Sequence, residues 1–241
     1  MKNTRGFTLI ELTLLVIIAG IVLGIFFNLK NKEEVSEIKS IIIQVEHYNS
    51  MVHLFKEKYG ELPGDIARTK ILELSEHNTN GNENGLLEDD KNSINKASGE
   101  IVNFWYHLSS SGFLEQKFDG KSNEEAKIGL TFPTLPFNKD IGITVFGFGG
   151  QNYYQIGVFE ATKNNIIMSD KTLKPKIAFG IDKKVDDGLA KTGDIIAVNG
   201  KFVNGYRELN SNCIDFNDYN LRYKELSCQL RIKFPKENES D

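Results

Sequence analysis

Residues Phe7 to Phe27, FTLIELTLLVIIAGIVLGIFF, form an apolar run of twenty-one residues in which Glu11 is the only ionisable side chain. At about 1.5 Å per residue, a helix of that length rises roughly 30 Å, the hydrocarbon thickness of a bilayer. A secretory signal has an apolar core of only about 7–15 residues and a small-x-small cleavage site. This run is longer and has no clear site of that kind at its far end. The flank before it, MKNTRG, carries Lys2 and Arg5, and the flank after it mixes Lys30 and Lys32 with Glu33 and Glu34. Short basic flanks stay where the chain is made. The run therefore predicts a single-pass helix with its N-terminus cytoplasmic and the rest of the chain exported.

Glu11 needs an explanation. An acidic side chain at the centre of a membrane helix costs about 2.5 to 3.5 kcal/mol, and less near an end. The run itself offers no Lys, Arg or His. Either Glu11 is protonated close to the interface, or processing creates its partner. A cut after Gly6 would place a new α-amine on Phe7, four residues before Glu11, within reach of the carboxylate of a neighbouring copy.

The stretch RGFTLIEL resembles the N-terminus of type IV prepilins and type II secretion pseudopilins. Gly6, Phe7 and Glu11 at this spacing, with Arg5 ahead of them and a membrane-length run behind, carry the resemblance. It implies a leader over residues 1–6, cleavage after Gly6 by prepilin peptidase and N-methylation of Phe7. It also implies that Glu11, fifth in the mature chain, pairs with a neighbour's terminal amine during assembly. The implied partners are that peptidase, other pilins or pseudopilins, the inner-membrane assembly platform and the lipid bilayer. The implied location is the bacterial inner membrane, with a periplasmic C-terminal domain and incorporation into a pilus or pseudopilus. Gly20 and Gly24 form a G-x-x-x-G pair of the kind that lets membrane helices approach closely. Many major pilins have a proline in this helix; none is present here.

Beyond the run, Val35, Ile38, Ile42, Val45, Tyr48, Val52, Phe55 and Tyr59 recur in steps of three and four. That is helical periodicity, so the membrane segment 7–27 is expected to continue as an amphipathic spine over 28–59. Gly60 and Pro63 are helix-ending residues at the right place. YGELPGD (59–65) and NFWYHLSSSGFL (103–114) also resemble segments of pilin-like proteins, and the second predicts a short helix ending near Gly112. Trp105 is expected in the core. Alternating segments at 141–148, 153–159, 176–181 and 195–198 predict strands, and Asn199-Gly200 predicts a hairpin turn before KFV. The fold class is α+β: one long N-terminal helix packed against a C-terminal antiparallel sheet. The globular domain is expected over 60–234, with a polar, flexible tail over 235–241 and fraying from Lys233 onward.

Two loops have the composition of calcium sites. Asn80-x-Asn82-x-Asn84-Gly85 has the spacing that opens an EF-hand loop, and Glu88, Asp89 and Asp90 follow it. It departs from that pattern in having Asn in place of Asp and Lys91 at the twelfth position. The second candidate is Ile181 to Asp194, with Asp182, Asp186, Asp187 and Asp194. A solvated turn is the competing reading of both, and no cofactor is required. The two cysteines, Cys213 and Cys228, fit no zinc pattern. In an exported domain a disulfide between them is chemically reasonable, and the resemblance implies a bridge of this kind in the C-terminal region. Two free buried thiols are the alternative.

No catalytic constellation is present. His47, His53, His77 and His107 lack H-E-x-x-H spacing; Ser109–Gly112 is not G-x-S-x-G; Gly147–Gln151 is not G-x-G-x-x-G. Without residues 1–6 the chain keeps 27 basic against 33 acidic residues, which gives no electrostatic footprint for nucleic acid. The sequence thus predicts a structural subunit, a minor pilin or pseudopilin, and not an enzyme. The 182 residues after Tyr59 favour a low-copy or tip subunit. The alternatives are a periplasmic binding domain on an uncleaved signal anchor, or a membrane-tethered enzyme.

Overall fold

The structure, a computed structural model, describes residues 9–67, 81–89, 96–162, 165–169, 172–198, 202–203, 206–207 and 212–235; side chains are not described at 24–31, 124, 158–162, 165–169, 202–203 and 206–207. The first element is a continuous 51-residue helix, α1 (Leu9–Tyr59), about 76 Å long at 1.5 Å per residue. Its end is capped as the sequence predicts. Gly60 takes a positive φ of 86°, and its N–H donates to the Lys56 carbonyl at 2.8 Å. Lys56 and Lys58 place positive charge in the last turn, where the helix dipole favours it.

The buried stripe of α1 is Ile38, Ile41, Val45, Tyr48, Val52 and Phe55. It follows the expected period with a shift at its start. Ile41 is fully buried, Ile42 packs at the edge of the core, and Val35 is 46% exposed. The stripe therefore begins one turn later than the sequence pattern indicates.

Two short helices pack on α1. The first, α2 (Gly99–Ser110), is buried on most of its surface. It ends at Gly112, whose φ is 83°, and Phe113 and Leu114 both donate backbone N–H bonds to Leu108. Trp105 is fully buried and meets Tyr48 edge-on, with ring centroids 4.8 Å apart. The second, α3 (Pro175–Val185), corrects the strand expected at 176–181. Pro175 stands at the first helical position, where its missing N–H costs nothing. Ile177, Ala178 and Ile181 are buried at helical spacing. Gly180 lets α3 approach α1, since a Cβ there would collide with Ile38, and Lys176 pairs with Glu34 at 2.6 Å.

The sheet is antiparallel. Its strands are β1 (Thr134–Leu135), β2 (Asn138–Phe148), β3 (Gln151–Thr162), β4 (Asn165–Ser169), β5 (Ile195–Val198) and β10 (Gln229–Lys233). The order is β1-β2-β3-β10-β5, and β4 pairs with the far end of β3. Two small hairpins, β6–β7 (Phe202–Val203 with Tyr206–Arg207) and β8–β9 (Ile214–Asp215 with Asp218–Tyr219), complete the strands. Asn199-Gly200 lies outside the described residues. The strands on either side of it pair elsewhere: β5 with β10 and β6 with β7.

The chain end also differs from expectation. Lys233 closes β10, and Phe234 is buried against Tyr154, with ring centroids 4.3 Å apart. Of the tail 235–241 only Pro235 is described. Cys213 and Cys228 form a disulfide, both fully buried, with Cα atoms 4.8 Å apart. The bond ties the β8–β9 hairpin to the strand that enters the sheet centre, where Cys228 also accepts the Leu173 N–H at 3.0 Å.

Candidate functional site

Three features carry the sequence expectations: the start of α1 and two polar loops. Leu9 to Leu23 contains eleven large apolar side chains, every one at least 49% exposed. They lie on all faces of the helix, a pattern that belongs in lipid or between packed helices and not against water. Glu11 sits in the first turn of α1. Gly6 and Phe7, the expected processing residues, lie outside the described residues, as does the side of the helix at Gly24. Among the described residues no helix is long and apolar enough to cross a membrane. The described apolar side chains at 9–23 account for a rise of about 22 Å, against about 30 Å of hydrocarbon.

The loop after α3 brings Asp182, Asp186 and Asp187 within 4.8 Å of one another. Asp194, the fourth expected ligand, is not part of that group and pairs with Lys233 at 3.2 Å. The clustered carboxylates are already engaged. Asp182 is fully buried; its Oδ1 accepts the Gly188 N–H at 2.9 Å and its Oδ2 accepts the Tyr219 hydroxyl at 2.6 Å. Asp186 Oδ2 accepts the N–H groups of Asp194 and Ile195. Asp187 accepts from Leu189 N–H and from the Thr192 hydroxyl, and these bonds hold its carboxyl below the ordinary range. Burial pushes the Asp182 carboxyl and the Tyr219 hydroxyl up. Donors thus meet both oxygens of Asp182 and Asp187 and one oxygen of Asp186, so the cluster braces the loop; its three carboxylates also lie close enough together to hold a cation.

The Asn-rich loop is arranged differently from its sequence pattern. Asn80 and Asp90 lie outside the described residues. Asn82 Oδ1 accepts the Asn84 N–H and Asn84 Oδ1 accepts the Leu86 N–H, so both close local turns. Glu88 accepts from the Asn84 amide at 3.1 Å, and buried Asp89 accepts the Lys96 N–H at 3.2 Å. The charges that organise the loop come from elsewhere. Asp65, in the turn after α1, accepts the Gly85 N–H at 2.7 Å through Oδ2. Glu100, in the first turn of α2, accepts Asn82 N–H at 3.0 Å and Glu88 N–H at 2.9 Å. Asn152 of β3 accepts Leu87 N–H and donates to the Gly85 carbonyl.

Asp65 and Glu100 escape a sequence reading because they are 35 positions apart and touch the loop through its backbone. The one available signal was a carboxylate in the first turn of a helix beside an Asn-rich loop. Burial pushes Glu100 up to about 7, with the neighbouring Asp65 charge adding to it. Burial also raises Asp65. His107, about two turns further along the same face of α2, accepts the Gly64 N–H at 2.9 Å and stacks on Phe55, and burial lowers it to about 4.

No family model, curated protein or solved structure matches this chain.

Proposed function

We propose that the protein is a structural subunit, a minor pilin or pseudopilin, of a type IV pilus-like or type II secretion filament. The supporting observation is the division of one uninterrupted 51-residue helix. Its first part is apolar and exposed on every face and holds a single acid, Glu11; its second part buries one stripe beneath an α+β domain. Such a helix can serve two environments at once, which a simple tether does not require. In this reading the chain sits in the bacterial inner membrane with the domain in the periplasm. Prepilin peptidase cuts after Gly6, and Phe7 is N-methylated. The assembly platform then adds the subunit to a filament of other pilins or pseudopilins.

Glu11 has a specific task in that assembly. In a low-dielectric helix bundle an unpaired carboxylate is costly, and pairing with the Phe7 amine of a neighbour removes that cost in one register only. Glu11→Val should therefore leave membrane insertion and leader cleavage intact and abolish incorporation into filaments. Cell fractionation, with immunoblotting of sheared filaments, reads both. Normal incorporation of Glu11→Val would falsify the proposal.

A further inference from the structure

The tip of the β8–β9 hairpin carries features that the fold alone does not require. Asp215 and Asp218 pair across it, so Phe216 and Asn217 form a two-residue turn. Phe216 takes a positive φ of 56° and Asn217 does not, the pattern of a II′ turn, which ordinarily has Gly at that first position. A bulky side chain held there is strained. Phe216 is also 93% exposed. The two acids beside it are exposed and stand directly opposite each other, an arrangement that like charges disfavour. The tip is nonetheless held firmly. The Lys191 ammonium donates to the Phe216 carbonyl at 2.6 Å and to Asn217 Oδ1 at 3.1 Å. The disulfide and the bond from the Tyr219 hydroxyl to Asp182 fix the base of the hairpin. An apolar ring between two carboxylates, posed at a cost, is complementary to an apolar hollow bordered by cations.

The same chain has such a hollow. Ile42, Ile43 and Val185 line a groove of about 560 Å³ between α1 and the end of α3; Lys39 and Lys184 border it, with Glu46 two turns along α1 from Lys39. The domain leaves this groove uncovered, with Ile43 63% and Val185 53% exposed. A copy cannot fill its own groove. Phe179 and Asp182 carry the hairpin through Tyr219, whereas Gly180 faces Ile38 and Lys184 borders the groove. At 3.6 residues per turn the two pairs lie roughly 150° apart around α3. We propose that Phe216 of one copy seats in the α1–α3 groove of a second copy, with Asp215 and Asp218 facing Lys39 and Lys184. Knob and groove are different surfaces, so the contact is head-to-tail and can repeat along a row of copies. The inference goes beyond the filament proposal and needs neither leader cleavage nor Glu11.

The test places a photo-reactive benzophenone in place of the Phe216 ring, in the full chain concentrated in detergent. Irradiation should give cross-linked dimers whose peptides join position 216 to residues 39–46 or 184–185. Lys39→Glu with Lys184→Glu should cut the dimer yield about tenfold or more, because like charges set face to face are penalised. Adding Asp215→Lys and Asp218→Lys to that chain should restore the yield, which a misfolded variant would not do. Glu11→Val should leave the yield unchanged, so loss of filament incorporation and loss of this contact are read separately. Four results would overturn the proposal: no dimers, cross-links to any other surface, a yield indifferent to the lysine reversals, or a loss that the second reversal does not restore.

Discussion

The two ends of α1 are equally helical and have opposite surroundings. From Leu9 to Leu23 the large apolar side chains are exposed on every side; from Ile38 to Phe55 six of them form one stripe, each at most 8% exposed, while Ile43 and Leu54 are left outside it at 63% and 42%. The sequence explains the contrast. The first part is apolar at nearly every position, so no face is distinguished. The second spaces its apolar residues at three and four, with charged residues between, so one face is chosen. A helix stable in both settings needs no break between them. What the difference teaches is that one helix has two separable parts, one that holds the domain together and one whose apolar side chains the domain leaves uncovered.

Separability can be tested by mutation. Phe55 is fully buried and touches Tyr59, His107 and Phe113. Phe55→Ala should cost the domain about 3–5 kcal/mol, seen as a lower urea midpoint. A loss below about 1 kcal/mol would mean that the buried half of α1 is not part of the core.

A smaller effect sharpens the same region, because His107 stacks on Phe55 and sits on the helix that carries Glu100. Glu100 is raised from 4.5 to about 7, so the folded chain keeps a proton that the unfolded chain has lost; stability falls as pH rises from 4.5 to 7. Asp65 is raised too and acts with the same sign. His107 is lowered from 6.5 to about 4, so it resists a proton that the unfolded chain accepts; stability falls as pH drops from 6.5 to 4. Between 4.5 and 6.5 the two trends oppose each other. Glu100→Gln should therefore weaken the loss of stability on the alkaline side, and His107→Gln the loss on the acid side. Urea midpoints across that range check both signs, and parallel profiles for the two variants would contradict them.

The smallest effect belongs to the first half of α1. Ile17 is 60% exposed, so Ile17→Ala should change domain stability by no more than about 0.5 kcal/mol. The same urea titration measures it. A cost comparable to that of Phe55→Ala would mean that both halves belong to one core.

Much of this architecture was legible in the sequence because it rests on local periodicity. The spine, its Gly60 end, the helix before Gly112 and the strands β2, β3 and β5 all follow from spacing and punctuation. Helix α3 was not legible in that way. Lys176 to Ile181 is a short mixed run that fits either period, and what decides for a helix is its packing against Ile38 through Gly180. The partner of β5 could not be read either, since β10 lies about thirty residues away in the chain. The same limit applies to the polar loops. Asn82 and Asn84 stand at ligand-like spacing yet close their own turns, and the carboxylates that anchor the loop come from the ends of two helices.

The central claim concerns what precedes Leu9, and the mature N-terminus tests it most directly. Intact mass and N-terminal sequencing of the protein from native membranes would decide it. The account predicts a chain beginning at Phe7 and carrying one added methyl group. A chain still beginning at Met1, in cells with an active prepilin peptidase, would contradict it.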